Sequence, residues 1–167
     1  MVARMGAMMG VDIYGLNPIT NEGDYFRMTW WFWRPIAEYC RKIAPEIAAK
    51  CKHWDTNDGD GLNHQDSVAL ADALQREIDS GRCAKYALIR ASSLEVLRNE
   101  TCEICEGTGV RKPYPEHGAG DLTTGIKCNG CKGDGYVRPW ASHYNLTVES
   151  AQRFASFLRN CGGFEIC

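Results

Sequence analysis

The chain has 167 residues, with 19 lysines and arginines against 21 aspartates and glutamates, so its formal net charge is −2. This length suits one compact domain that carries a small insertion. Hydrophobic residues make up 44% and charged residues 24%, which excludes wholesale disorder. The longest uncharged aromatic run, residues 28–33, is far shorter than the roughly 20 residues that a membrane span needs. We therefore expect a cytoplasmic protein with no membrane segment. The near-neutral charge also disfavours a broadly basic nucleic-acid binder.

Apolar periodicity and turn residues predict an α+β fold, a small mixed domain with an inserted four-cysteine zinc hairpin. In chain order they predict a strand at 11–14, an extended aromatic segment at 25–33, a helix from Pro35 to Ala44, a polar loop at 53–62, a helix from Asn63 to Gly81, a helix at 82–98, a helix capped by Thr147 and a strand at 164–166. The short break at Gly81 predicts that the two helices beside it pack together. Residues 1–10 are interpreted as a flexible leader, residues 11–100 with 139–167 as the globular domain, and residues 101–138 as the zinc-binding hairpin.

Four of the nine cysteines follow one repeated pattern, C-x-x-C-x-G-x-G, which begins at Cys102 and again at Cys128. Two C-x-x-C units at this separation have the ligand spacing of a structural zinc site. The glycines allow positive φ, so that main-chain N–H groups can approach the sulfurs. We therefore predict one structural zinc ion per chain. Its ligands are Cys102, Cys105, Cys128 and Cys131.

The repeated cysteine pattern resembles half of the cysteine-rich region of DnaJ-type co-chaperones. The similarity covers residues 102–135. The resemblance implies an extended zinc-binding hairpin that acts as a metal scaffold rather than as an enzyme active site. The chain contains no J domain with a His-Pro-Asp motif, so only the scaffold is carried over.

The remaining cysteines have no paired spacing, and we expect them to be small buried hydrophobic residues. A second metal site formed by Cys40, Cys51 and His53 is an alternative. The five cysteines outside the repeated pattern are Cys40, Cys51, Cys83, Cys161 and Cys167.

The acidic loop could form a second metal site of another kind. Asp55, Asn57 and Asp66 fall at positions 1, 3 and 12 of a loop with EF-hand-like calcium spacing, although positions 5 and 6 depart from that motif. The same loop could hold Mg²⁺ or Mn²⁺ for phosphodiester hydrolysis. The favoured alternative is a turn rich in Asn, Asp and Gly before a helix. Candidate ligands are Asp55, Asn57, Asp58 and Asp60, with His53 and His64 beside them.

Three tryptophans lie within residues 30–33, and an extended segment would place Trp31 and Trp33 on one face. Such a strand could be buried on both faces, or one face could be a docking surface. In the hairpin, Tyr114 and His117 are candidate contact residues on a projecting loop.

Further segments resemble small uncharacterised proteins of phages and their bacterial hosts. This resemblance spans most of the chain and implies an accessory protein that engages a host or phage protein. Inhibition of a defence system is one role that the resemblance includes. It rests on residues 9–15, 25–35, 57–62 and 161–165.

These observations favour a zinc-stabilised binding or adaptor protein with a protein partner, and an enzyme is the less favoured class. A metal-dependent phosphodiesterase or nuclease that uses the 53–64 loop is the first alternative. A nucleic-acid-binding zinc protein is the second.

Overall fold

A computed structural model describes residues 10–111 and 125–167. The chain divides into two compact units. We call Met1–Ser92 with Tyr144–Cys167 the main unit and Ser93–His143 the cysteine unit. No helix in the described part of the chain is both long enough and apolar enough to cross a membrane.

The fold is α+β, as predicted, with helices and antiparallel strands in one chain. The strands are β1 (Gly10–Gly15), β2 (Tyr25–Thr29), β3 (Asp60–Asn63), β4 (Glu100–Thr101), β5 (Tyr136–Val137) and β6 (Gly163–Ile166). The helices are α1 (Trp30–Ile43), α2 (Pro45–Ala48), α3 (His64–Asp79), α4 (Arg82–Glu95) and α5 (Val148–Asn160). Of the predicted leader, only Gly10 belongs to the described residues, and it begins β1.

The main unit is built on a four-stranded antiparallel sheet in the order β2–β1–β6–β3. Alternate side chains of β1 are buried, because Val11 and Ile13 face a core that α1, α3 and α5 cover. The C-terminal strand β6 returns to the middle of the sheet, as its alternating pattern predicted, and pairs with β1 and β3.

Local sequence signals set the starts of two core helices. The Asn63 side chain accepts a hydrogen bond from the Asp66 N–H at 2.9 Å at the start of α3. Thr147 and Ser150 form a reciprocal capping box at the start of α5. These capping positions agree with the sequence prediction.

The aromatic segment departs from the sequence prediction, because Trp30–Trp33 begin helix α1 instead of continuing β2. Trp33 is fully buried together with Ile36, Ala37 and Cys40, and this spacing of three, four and seven residues forms one helical face. Pro35 therefore lies inside the helix, where it cannot donate a hydrogen bond to the Trp31 carbonyl. Burial of a whole helical face outweighs that loss.

Helix α4 also departs from the prediction. It ends at Glu95 rather than residue 98, and Cys83 is its buried residue. Ile89 is 58% exposed. Helix α3 packs mainly on α5 rather than α4. Helix α5 buries several apolar residues, including Phe154, Phe157 and Leu158, whereas α4 buries Cys83.

Candidate metal centre

Four sulfur atoms converge in the cysteine unit. The Sγ atoms of Cys102, Cys105, Cys128 and Cys131 all lie within 4.8 Å of one another. All four residues are buried and form the small apolar centre of this unit, with Val137 packed against them. The structure thus brings together the four ligands that the repeated motif predicted.

The sulfur spacing fits a tetrahedral metal ion. The Cys102 and Cys128 sulfurs are 3.8 Å apart, and the Cys105 and Cys131 sulfurs are 3.6 Å apart. Four ligands about 2.3 Å from a central zinc ion would lie about 3.8 Å from one another. The four thiols are also the soft donors that such an ion prefers. The residues present therefore fit a closed four-sulfur metal site.

The two motifs are related by approximate two-fold symmetry, in which each residue of the first motif corresponds to the residue 26 positions later in the second. The Cys102 N–H donates to the Gly135 carbonyl at 2.9 Å, and the Cys128 N–H donates to the Gly109 carbonyl at the same distance. Each motif therefore supports the first cysteine of the other motif through its last glycine. The sequence repeat becomes a symmetric pair of metal-binding turns.

The strand pairs beside the motifs obey the same two-fold symmetry. Thr101 pairs with Tyr136 between β4 and β5, and Val110 pairs with Lys127 in an isolated antiparallel bridge. The two pairs correspond at the 26-residue offset. Short pieces of ribbon therefore fix the two cysteine turns from opposite sides.

The turns require left-handed main-chain conformations, and two of these fall on residues other than glycine. Glu106 has φ of 51° and Lys132 has φ of 55°, at equivalent positions directly after the second cysteine of each motif. Such conformations cost about 1–2 kcal/mol per residue. A cross-link between the four sulfurs would offset this cost, because metal binding contributes directly to folding.

Main-chain N–H groups approach the sulfurs, as the glycine positions predicted. The Gly135 N–H donates to the Cys131 Sγ at 3.1 Å. At Cys105 burial opposes ionisation, but hydrogen bonds from the Gly109 N–H and from neighbouring thiols lower the pKa to about 7. Burial raises the pKa of Cys102 to about 11. Only a bound cation would allow all four groups to be thiolates together.

The acidic loop does not gather its carboxylates around a common point. Among residues 10–111 and 125–167, the four-cysteine cluster is the only group of three or more His, Cys, Asp or Glu side chains that converges. Asp55 bonds Arg41 at 2.5 Å, and Asp58 lies 4.0 Å from His53. Asn57 is exposed.

Asp60 has a structural role that sequence reasoning did not assign. Its carboxylate accepts hydrogen bonds from the main-chain N–H groups of Lys52, His53 and Gly61. Burial opposes the charge, but these three donors hold the pKa of Asp60 below its ordinary value. Asp60 thus ties the polar loop to the start of β3.

Asp66, at the twelfth position of the calcium-like pattern, is also occupied by protein groups. It accepts from the Lys50 ammonium at 2.6 Å and from the Asn63 amide at 2.8 Å. These contacts are those of a helix start, in agreement with the alternative interpretation as a turn.

The predicted aromatic surface divides into a buried and a half-buried part. Trp33 is fully buried, and its Nε1–H donates to the Trp54 carbonyl at 2.6 Å. Trp31 is half-buried, with its ring 5.4 Å from the ring of Tyr144. Trp33 is therefore not a docking residue. Tyr114 and His117 lie outside the described residues.

The five other cysteines are mostly buried, as expected. Cys40, Cys51, Cys83 and Cys161 are buried, whereas Cys167 is exposed at the end of the chain. Burial raises the pKa of Cys51 to about 12. The proposed trio of Cys40, Cys51 and His53 does not converge within the described part of the chain.

No protein-family model, curated protein or solved structure matches the chain.

Proposed function

We propose that the chain is a binding protein in which the cysteine unit holds one structural zinc ion and presents a rigid surface to a protein partner. The convergence of the four sulfurs within 4.8 Å carries this proposal. Four protein ligands would fill a tetrahedral coordination sphere and leave no open position for water or substrate. Such an ion stabilises the fold of the unit and does not catalyse a reaction.

The surface of the cysteine unit supports a role in binding. Its buried centre consists of the four cysteines with Val137 beside them, and several larger apolar side chains face solvent. Trp140 is 69% exposed and Tyr136 is 55% exposed. Further exposed apolar residues are Val96, Ile104, Val110 and Ile126. Exposed aromatic residues on a rigid scaffold favour protein recognition.

The charge of the unit favours a protein over a nucleic acid. Within residues 93–111 and 125–143, five basic side chains are balanced by five acidic ones. Four thiolates around a divalent cation would add two negative charges. A nucleic-acid interface instead needs an excess of Lys and Arg. The basic residues are Arg98, Arg111, Lys127, Lys132 and Arg138, and the acidic ones are Glu95, Glu100, Glu103, Glu106 and Asp134.

The proposal can be tested by metal analysis and affinity capture together. We expect gently purified wild-type protein to contain one equivalent of zinc and the Cys131→Ser variant to contain none. The exposed Cys167 is not a ligand, so Cys167→Ser should retain the metal. Absence of zinc, or one equivalent of iron in its place, would contradict the zinc assignment.

The binding role requires a further comparison. Immobilised wild-type protein should retain a partner from a cell lysate, and both Cys131→Ser and Trp140→Glu should lose it. Retention by Trp140→Glu equal to that of wild type would show that the exposed aromatic surface is not the interface. Capture of nucleic acid that falls steeply with salt would favour the alternative class.

A further inference from the structure

Among the described residues of the main unit, no strand pairs with the outer edge of β2, the end strand in the order β2–β1–β6–β3. The Gly15 N–H donates to the Asp24 carbonyl at 2.9 Å, which makes these two residues a hydrogen-bonded pair. Hydrogen-bonded pairs alternate along an antiparallel ladder. Phe26 therefore turns its main-chain groups toward β1, and Tyr25 and Arg27 turn theirs away from the sheet.

These outward main-chain groups are available for pairing. Within residues 10–111 and 125–167, no hydrogen bond is formed to the outward N–H or C=O groups of Tyr25 and Arg27. The Tyr25 hydroxyl and the Arg27 guanidinium instead contact the Asp12 carboxylate through their side chains. A strand edge with free donors and acceptors is a template for another extended chain.

Two cavities lie between β2 and helix α5. The first has a volume of about 340 Å³ and lies beside Met28, and the second, of about 320 Å³, lies beside Phe26. Arg153 of α5 lines both. Met28 and Phe26 are two residues apart, and side chains on one face of a strand repeat every two residues. An added strand could therefore place alternate side chains in the two cavities.

The first cavity has the chemistry of a carboxylate site. Arg153 and a single acidic residue, Glu149, line it. Arg27 also lines it, but its guanidinium is engaged by Asp12, with Nε 3.6 Å from that carboxylate. Thr29 also lines this cavity. Its hydroxyl oxygen is buried and has no hydrogen-bond partner within the described residues. Thr29 precedes α1 and makes no side-chain capping bond, and Phe32 in the first turn of α1 also lines the cavity. The positive end of this helix therefore borders the cavity.

The second cavity has aromatic residues in its lining. Tyr25, Phe26 and Phe157 line it. Its acidic residue, Glu22, already accepts a hydrogen bond from the Ser156 hydroxyl at 2.8 Å. An apolar side chain fits this position better than a charged one.

We propose that β2 binds an extended segment of another protein as an added strand, with an acidic side chain in the first cavity and an apolar one, two positions along, in the second. A second copy of this chain is a poorer occupant, because β2 contains no acidic residue to meet Arg153. This surface belongs to the main unit and does not depend on the proposed zinc site.

The test uses a synthetic heptapeptide, Thr-Val-Asp-Val-Phe-Val-Thr, titrated into the full chain and followed by amide NMR. We expect resonances of Tyr25, Arg27 and Thr29 to shift. Affinity should fall at least about tenfold when lysine replaces aspartate in the peptide, or in the Arg153→Glu variant, because a charge-assisted pair becomes a repulsive one. Arg159→Ala is the matched control, since Arg159 lies on the same helix, bonds Asp72 and lines neither cavity.

A backbone variant tests strand addition itself. Arg27→Pro removes an outward N–H that β1 does not use, so binding should be lost while the fold is kept. Arg27→Ala loses the same side chain but keeps the N–H, so it should still bind. If Arg27→Pro does not fold, Arg153→Glu still decides the question, because it leaves the sheet unchanged. Absence of binding, equal affinity for the lysine peptide, or dimerisation through β2 in sedimentation would overturn the proposal. Peptide binding unchanged by Cys131→Ser would separate it from the zinc-dependent function.

Discussion

Gly109 and Gly133 approach each other so closely that a Cβ atom on Gly109 would lie 2.2 Å from the Gly133 carbonyl oxygen. The two-fold counterpart has the same constraint, because a Cβ on Gly135 would lie 2.3 Å from the Gly107 carbonyl oxygen. The last glycine of each motif is therefore required by main-chain packing as well as by its positive φ. This contact locks the two cysteine turns together.

Gly109→Ala should weaken metal binding about 10- to 100-fold, as expected when the support of a metal ligand is disturbed. Gly125→Ala is the matched control, because Gly125 has a similar φ of 80° but no atom of the described residues within 4 Å of its would-be Cβ. Competition with a chromophoric chelator measures both affinities. Equal losses in the two variants would mean that φ strain, and not the close approach, is what matters.

Metal removal should expose the cysteine turns to protease. Lys127 and Lys132 flank Cys128 and Cys131 in turns that the four sulfurs hold together. Because the apolar centre of this unit is so small, a chelator should make both peptide bonds accessible to trypsin. Lowering the pH should act in the same direction, since protonated thiols release the ion. Mass spectrometry of timed digests checks this, and unchanged protection at both lysines after chelation would contradict it.

Trp33→Phe should lower the free energy of unfolding by about 2–4 kcal/mol. The substitution removes the Nε1–H donor to the Trp54 carbonyl and leaves space beside the Trp54 ring, whose centroid is 5.7 Å away. Urea denaturation followed by circular dichroism gives the difference. Trp140→Phe, at a position 69% exposed, should change stability by less than about 0.5 kcal/mol.

Asp60→Asn should destabilise the main unit by about 1–2 kcal/mol at neutral pH, because a charged acceptor of three main-chain hydrogen bonds is replaced by a neutral one. The pKa of Asp60 is lowered in the folded chain, so its stabilisation is present above the unfolded pKa and is lost as pH falls through the folded value. The difference between wild type and variant should therefore shrink in acid below about pH 4.

Denaturation curves measured from pH 7 to pH 3 would show this convergence. Asp58→Asn is the control, because the exposed Asp58 lies 4.0 Å from His53 and should contribute little. A constant difference across this pH range would show that the ionisation of Asp60 is not the cause of its effect.

The metal-binding turns could be predicted from the sequence because their geometry is local. Each C-x-x-C turn places its own two sulfurs close together, and the glycines after it permit the left-handed conformations that the turn needs. The caps at Asn63 and Thr147 are likewise encoded within a few residues of the helix they begin. Local chemistry of this kind needs no knowledge of distant neighbours.

Other features depended on partners that are remote along the chain. Trp33 became part of a buried helix because Trp54 and Phe154 provide its contacts, and no pattern within residues 25–33 specifies them. Asp60 became a loop anchor, instead of a metal ligand, because the N–H groups of Lys52 and His53 turn toward it. The outer edge of β2 is left without a strand because β1, β6 and β3 all lie on its other side in the described part of the chain. Tertiary packing decided these features, since burial and main-chain pairing join residues whose separation in sequence carries no local signal.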